Sequence, residues 1–499
     1  MENSPQTSSL LKAVAIQKSF AGVHALKGVN LEIAPGEIHC LAGENGCGKS
    51  TLIKIISGVY TPDAGHIEFG GQSYTRITPI DAINLGIQVI YQDFSIFPNL
   101  TVMENLAFNT ELAAGRKLVS WKRLRKIAEE AVAKINFTVD LDARLGDLSV
   151  AEKQLVAISR ALMFGAKLII MDEPTTALTK KEVRSLFDII LSLKAQGIAI
   201  LFVSHKLDEV FEISERFTIF RSGETVVSGS TKELDEKKFT YYMTGREFED
   251  TPFVPGFLSD APVLEARALT MRGHFADVSF HLNKGEILGI TGLLDSGRTE
   301  LALALFGARP VDSGDLKMHG RPIRLKKPAD AIEAKIGYVP EDRLSEGLFL
   351  PRSIGENIVV SKLKALSGRL SVVNRRARER EIDKWVKQLS IKTPDPNNAC
   401  LSLSGGNQQR VVLAKWLACA PDVLVLNGPT MGVDIGSKHD IHQILRALAT
   451  EGMAVVIISD DLPEVLKNCS RVLVMKAGRV VAELDPRESD ERALSQLMM

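Results

Sequence analysis

Short, wholly apolar runs alternate along this chain with longer amphipathic ones, and the alternation starts again at mid-chain. Ile38-His39-Cys40-Leu41-Ala42, Leu168-Ile169-Ile170-Met171 and Ile200-Leu201-Phe202-Val203 are continuous enough for buried parallel strands, and helical patterns follow them. Gly36-Glu37-Ile38, Gly43 and Gln92-Asp93 recur at one constant offset as Gly285-Glu286-Ile287, Gly292 and Glu341-Asp342. Leu148-Ser149, Pro174-Thr175 and Val203-Ser204 recur at a slightly larger offset as Leu403-Ser404, Pro429-Thr430 and Ile458-Ser459. A small drift means loop insertions between shared elements, so the pattern predicts a duplicated α/β domain. The stretch from Gly245 to Pro262 has prolines, charges and no sustained period, which predicts domains over 1–245 and 263–499 joined by a linker at 246–262. Trp121 to Asn136 and Arg375 to Leu389 read as amphipathic charged helices, each with a solvated face or a contact surface.

The length, 499 residues, suits two domains of about 250 residues. Lysine plus arginine and aspartate plus glutamate both number 61, so no net field draws the chain to nucleic acid or an anionic membrane. Cys40, Cys47, Cys400, Cys419 and Cys469 are scattered without CxxC spacing, which favours free thiols in a reducing compartment. The first ten residues lack the basic-then-apolar order of a signal peptide, and every apolar run is shorter than the ~20 residues a bilayer requires. The expectation is a soluble, unsecreted chain.

Gly43-Glu44-Asn45-Gly46-Cys47-Gly48-Lys49-Ser50-Thr51 follows a predicted strand and opens a helical run from Leu52 to Ser57. That is the setting of a P-loop. Glycines let backbone N–H groups close around phosphates, the helix start adds positive potential, Lys49 reaches the terminal phosphates, and Ser50 can ligate Mg²⁺. The bland alternative is a chance glycine-rich turn. Downstream, a strand ends in Asp172 and Glu173, the first placed for the Mg²⁺ shell and the second for polarising an attacking water. His205 also ends a strand, a position more often structural than catalytic when it stands alone. Cys47 lies at a helix start beside Lys49, which predicts a lowered thiol pKa and a reactive cysteine; Cys419 is the competing site.

The P-loop, Gln92, the acidic strand end and His205 occur in the order and spacing of ABC ATPases, and Leu403-Ser404-Gly405-Gly406-Asn407-Gln408-Gln409 resembles the ABC signature sequence. With Gly337 to Arg343 and Gly292 to Thr299, the whole chain resembles the tandem ATPase subunit of sugar importers, the group serving ribose, xylose, arabinose, galactose and, in some members, autoinducer-2 or nucleosides. The resemblance implies two tandem ABC ATPase domains, each a P-loop RecA-like core with a β-subdomain and a helical signature subdomain. It implies ATP and Mg²⁺, with Glu173, His205 and Gln92 catalytic and Ser50, Gln92 and Asp172 at the metal. Phe20 would stack on adenine, core packing being the alternative, and Gly43 to Thr51 with Ser404, Gly405, Gly406 and Gln408 would bind the nucleotide. The implied partners are membrane permease subunits and a periplasmic or extracellular solute-binding protein, with the chain held peripherally on the cytoplasmic side of the plasma membrane. Nucleic acid is not among the expected partners.

The second half departs from a working site. Arg298 replaces the P-loop lysine, Asn427-Gly428 stand where Asp172-Glu173 stand in the first half, and Asp460 replaces His205. On that reading no carboxylate reaches a metal there and Asp460 faces a phosphate, although Gly292, Gly297, Arg298 and Thr299 still offer a cradle. The first half has the complementary defect, Ser149-Val150-Ala151 in its signature. ABC domains pair head to tail, so the resemblance implies one competent site, built from the first half's P-loop and the second half's signature. Sugar-importer relatives usually keep Asp-Glu at the second acidic strand end, so hydrolysis there is doubtful. A tandem ABC protein acting on ribosomes or nucleic acid is the competing reading; that class usually has a long charged linker and two intact sites. A nucleotide sensor with slow hydrolysis is a third. The solute itself is not written in this chain.

Overall fold

The computed structural model describes the chain apart from residues 1–8, 21, 93–94, 114–118, 136, 177, 205, 249–250, 256–260 and 369–371. It divides into two compact units, Met1–Glu247 and Phe248–Met499.

In the first unit the strands are β1 (Leu11–Phe20), β2 (Val23–Ile33), β3 (Ile38–Gly43), β4 (Ala64–Phe69), β5 (Gln72–Tyr74), β6 (Ile87–Ile90), β7 (Leu168–Asp172), β8 (Ala199–Val203), β9 (Arg216–Arg221) and β10 (Glu224–Ser230). They form an antiparallel sheet ordered β2-β1-β4-β5 and a second sheet ordered β10-β9-β3-β8-β7-β6. From β9 to β6 the second sheet is parallel, with β10 an antiparallel edge. Every residue of β3 and β8 is buried, as a parallel strand covered on both faces demands. A separate helical core gathers Val102, Leu106, Leu124, Ala128, Leu145 and Val156. The second unit repeats the plan with β11 (Pro262–Met271), β12 (Phe275–Asn283), β13 (Ile287–Gly292), β14 (Ser313–Met318), β15 (Arg321–Ile323), β16 (Ile336–Val339), β17 (Val423–Asn427), β18 (Ala454–Ile458), β19 (Arg471–Lys476) and β20 (Arg479–Leu484). Its sheets run β12-β11-β14-β15 and β16-β17-β18-β13-β19-β20, the same orders in space.

The charged helices form as Trp121–Ala133 and Arg375–Gln388; each buries a narrow stripe, Leu124, Ala128 and Ala131 in one and Ile382 and Trp385 in the other. The irregular segment at the seam is anchored to the second unit. Phe253 is buried and its N–H donates to Lys467 O (2.9 Å), Arg446 Nη1 donates to Thr251 O (2.9 Å), and Phe248 stacks on His439.

Candidate functional site

In a parallel sheet, functional side chains collect where strands end and the next loops begin. β3 ends in Gly43, whose backbone approach leaves no space for a side chain: a Cβ would lie 2.4 Å from Cys47 Sγ and 2.5 Å from Phe220 O. The loop turns at Gly48, φ 110°, into the helix Lys49–Ile56. Lys49 is buried, and its ammonium donates to Gly43 O (2.6 Å) and Glu44 O (3.1 Å) inside the loop. Asn45, Gly46 and Ser50 are exposed, while Glu44, Gly48 and Thr51 are half-buried. Two strands across the sheet, β7 delivers Asp172, and Ser50 Oγ donates to Asp172 Oδ2 at 3.4 Å. A hydroxyl and a carboxylate side by side are hard oxygen donors of the kind Mg²⁺ takes in addition to phosphates and water, so the residues fit the ion.

Burial, and next the charge of Glu173, hold the Asp172 carboxyl above the usual range, against the pull of Lys49 and Ser50. A raised carboxyl pKa means that ionised Asp172 costs stability, a cost present at neutral pH and relieved as pH falls through the folded pKa. Asp172→Asn will therefore raise the melting temperature of the nucleotide-free chain at neutral pH, and the gain will shrink on acidification. The stabilisation by Mg²⁺ and ATP will be lost, and thermal melts with and without both, across pH, read all three effects.

Glu173 follows Asp172 with φ 48°, and its N–H donates to Val203 O (3.1 Å). Gln92 is exposed just past β6, and Phe20, 39% exposed, ends β1 with its ring edge-on to Tyr60 at 5.2 Å rather than in the core. His205 lies outside the described residues. Cys47 corrects an expectation. Its side chain is buried at 4% exposure, and desolvation raises the thiol pKa although Lys49 pulls the other way. Cys419 is the partly exposed cysteine of the five.

The signature segments differ in a way the glycines alone do not explain. Ser149 closes a capping box: its Oγ donates to Glu152 Oε2 (2.8 Å) and accepts from the Glu152 N–H (3.2 Å). Its hydroxyl is consumed and a carboxylate sits at the helix start. In the second unit Asn407 takes the Glu152 position and its Nδ2 donates to Ser404 Oγ (3.0 Å), which leaves the Ser404 proton for an outside acceptor. The S-x-x-E spacing was readable in the sequence as a capping signal. Gly405 is half-buried at the start of the helix Gly405–Leu417. Gly406 and Gln408 are buried, and a Cβ at Gly406 would meet Ser437 Oγ at 2.1 Å, so packing inside the unit already requires that glycine.

In the second unit Gly292 is as confined as Gly43, with Ser296 Oγ 2.4 Å from its Cβ position, and Gly297 turns the loop into the helix Arg298–Leu305 ahead of Thr299. Arg298 is buried and faces Asp460 Oδ1 at 3.5 Å, so Asp460 is oriented to the guanidinium as an ion pair. At the end of β17, Asn427 Nδ2 donates to Glu341 Oε2 at 3.2 Å.

Two units, each with a P-loop on a parallel sheet, a carboxylate or its replacement two strands away and a signature helix, define a nucleotide-binding cassette protein. Residues 26–176 and 275–431 each match the family described as ABC transporter. The ribose import ATP-binding protein of Bacillus licheniformis is 39% identical over 98% of this chain and 99% of its own length. One of that name from Rubrobacter xylanophilus is 42% identical over 97% of both chains. A putative ribose/galactose/methyl galactoside import ATP-binding protein of Halalkalibacterium halodurans is 38% identical over 98% of this chain and 93% of its own. The chain belongs to the ABC transporter family, among its tandem import ATP-binding subunits. It is an ATPase that binds and hydrolyses ATP to drive import.

Proposed function

We propose that this subunit drives uptake of a monosaccharide of the ribose and galactose type through a separate membrane permease, hydrolysing ATP at one competent site. The observation that carries the single-site reading is the assembly of buried Lys49 with Ser50, Asp172 and Glu173 at the ends of β3 and β7, against Arg298, Asn427 and Gly428 at the matching places. Lys49 and the loop N–H groups hold the phosphates, and Glu173 accepts a proton from the attacking water. Bound Mg²⁺, held by Ser50, Asp172 and Gln92, would neutralise phosphoryl charge. His205 would face the terminal phosphate and Phe20 would stack on the base. Ser404 and Gly405 of the second unit would complete the site, since the intact P-loop and the intact signature lie in different halves. ATP binding then closes the cassettes and hydrolysis releases them, switching the permease between its two faces.

No helix of the described residues is long and apolar enough to cross a membrane, and the reading assigns the path to a partner. That partner would be a permease, fed by a solute-binding protein on the outer side, with this chain on the cytoplasmic face. Each unit offers a matching apolar contact for it. Phe97 and Phe349 are 57% and 59% exposed soon after Gln92 and Glu341. Each is fixed by a buried asparagine: Asn105 Oδ1 accepts from Phe97 N (2.9 Å) and its Nδ2 donates to Phe97 O (3.0 Å), and Asn357 does the same for Phe349 (2.8 and 3.1 Å). A rigid backbone under an exposed ring is a built contact, and changing a surface ring has little effect on stability. The chain with Phe97→Asp and Phe349→Asp will keep its ATPase in solution yet lose co-purification with membranes and uptake of labelled ribose, xylose or galactose by cells. Uptake of all three sugars unaffected by Lys49→Ala would overturn the transport reading.

A further inference from the structure

The two units share a carboxylate just before their central strands and use it differently. Glu37 Oε2 accepts from Ala34 N, and Glu286 Oε2 from Asn283 N, each at 2.7 Å. In the second unit Glu286 Oε1 accepts from Arg471 Nε (2.9 Å), and the same guanidinium donates to Glu483 Oε1 (2.8 Å) and His281 O (2.7 Å). In the first unit Glu37 Oε1 accepts instead from His39 Nδ1 (2.7 Å). His39 Nε2 meets Thr218 Oγ1 (2.8 Å), which meets Ser228 Oγ (2.7 Å). The strand ladders set His39 beside Arg216 and Leu288 beside Arg471, and likewise Thr218 beside Ser228 and Leu473 beside Glu483, so the positions correspond.

Two changes therefore release Arg216. His39 takes the carboxylate oxygen that Arg471 holds, and Ser228 stands where the second unit has Glu483. Arg216 Nη1 is left 4.0 Å from Glu37 Oε2, beyond hydrogen bonding, with its side chain 42% exposed against 16% for Arg471. The released guanidinium, a planar fork suited to carboxylate or phosphate, lines a cavity of about 230 Å³ between β1–β2 and β9–β10, with Lys12, Asn30, Glu32, Thr225 and Ser228. That is the space of about seven waters, or of one small metabolite. One wall is braced: Asn30 N donates to Thr225 Oγ1 (3.0 Å), which donates to Asn30 O (3.1 Å). Lys12 and Glu32 form a half-exposed pair at 3.3 Å, which contributes little and parts readily for a ligand. The cavity adjoins the start of β3, and His39 is about 13 Å along that strand from Gly43 at the phosphate loop.

We propose that this cavity binds a small polyhydroxylated metabolite by its carboxylate or phosphate, which rests on Arg216 in the place that Glu483 fills for Arg471 in the second unit. Lys12 adds a second cation. Ser228 and Glu32 offer partners for the ligand's hydroxyls, and the Glu32 charge selects against a second anionic group. The proposal concerns the first unit alone and stands whatever solute the chain imports.

Calorimetric titration of the full chain with ribose 5-phosphate, ribonate and ribose tests it. At least one of the two acids is expected to bind and to raise the melting temperature, because the ligand joins two sheets of the folded unit, and ribose is expected to do neither at the same concentration. Which acid binds identifies the oxyanion. Arg216→Gln will weaken binding at least 10-fold, while Lys49→Ala and Arg298→Ala, which disable the two P-loops, will leave it unchanged and so place it outside them. His39→Leu with Thr218→Leu copies the second unit and returns Glu37 Oε1 to Arg216, so it will weaken binding as much as Arg216→Gln does, with melting curves to confirm folding. Arg216→Gln alters a half-exposed side chain and decides the matter even where the double variant does not fold. No binding of either acid, binding indifferent to Arg216→Gln, or equal affinity for inorganic phosphate overturns the proposal.

Discussion

Glu173→Gln will leave ATP binding intact and lower steady-state hydrolysis by about 10²-fold or more, because an amide of the same shape cannot take a proton from water. The expectation rests on backbone as well as on chemistry. Residue 173 leaves β7 with φ 48°, a left-handed conformation that costs a non-glycine residue ~1–2 kcal/mol. The equivalent exit from β17 has the same conformation, φ 56°, with the same bond from its N–H to the neighbouring strand, Gly428 N to Ile458 O at 2.8 Å. There glycine removes the strain and the carboxylate together. Strain kept at one exit and discarded at the other is what a proton acceptor at residue 173 alone would call for. Glutamine keeps the strained backbone and most of the side-chain volume, so the comparison isolates the proton acceptor. Paired measurements of nucleotide affinity and phosphate release decide it, and ordinary turnover in this variant would remove Glu173 from the mechanism.

What the sequence made legible was whatever lies close together along the chain. The P-loop, the apolar strand ending in Asp172-Glu173 and the duplication are local patterns whose spacing is set by the strand and helix periods, and all three appear as strands and loop at the expected places. What depends on pairing between distant strands was not legible. Cys47 has the neighbours of a reactive thiol in sequence, yet the loop folds it against Gly43 and β9, and burial outweighs Lys49. Glu341 stands in the repeat where Gln92 stands in the first half, and only the β16–β17 ladder brings it to Asn427 at the end of the neighbouring strand. The segment after Glu247 has no period because its described part folds as irregular chain, but Phe253 is buried and the stretch is fastened to the second unit by side chains far away in sequence.

Gly405→Asp will abolish hydrolysis as thoroughly as Lys49→Ala, a loss of about 10²-fold or more of the kind seen when one phosphate-stabilising group is removed. The two positions lie in different halves of the chain, so this equality is a test of whether function follows the pairing of cassettes. Within its own unit, Gly405 starts a 13-residue helix beside Ser404, whose hydroxyl proton stays available because Asn407 donates to it. A side chain there meets the guanidinium end of Arg343, with Nη2 2.7 Å from the Cβ position, and Gly432 O at 3.2 Å. The first of these is a movable group, so the unit will still fold, but the helix start will be covered and made negative. Gly405→Val covers it without charge and will separate the steric from the electrostatic loss, while melting curves confirm folding. A carboxylate placed in the first unit's signature, Ala151→Asp at the counterpart of Gly406, falls beside Glu152, where a carboxylate already occupies the helix start and holds the Ser149 hydroxyl. That segment has nothing left to lose, and Arg298→Ala removes a cation from a unit without a base, so both will cost hydrolysis little. Steady-state ATPase of Lys49→Ala, Gly405→Asp, Ala151→Asp and Arg298→Ala therefore sorts into two severe losses and two mild ones. Equal loss in all four would mean that the second unit turns over as well, and near-normal activity in Gly405→Asp would mean that the second signature does not serve the ATP held by Lys49.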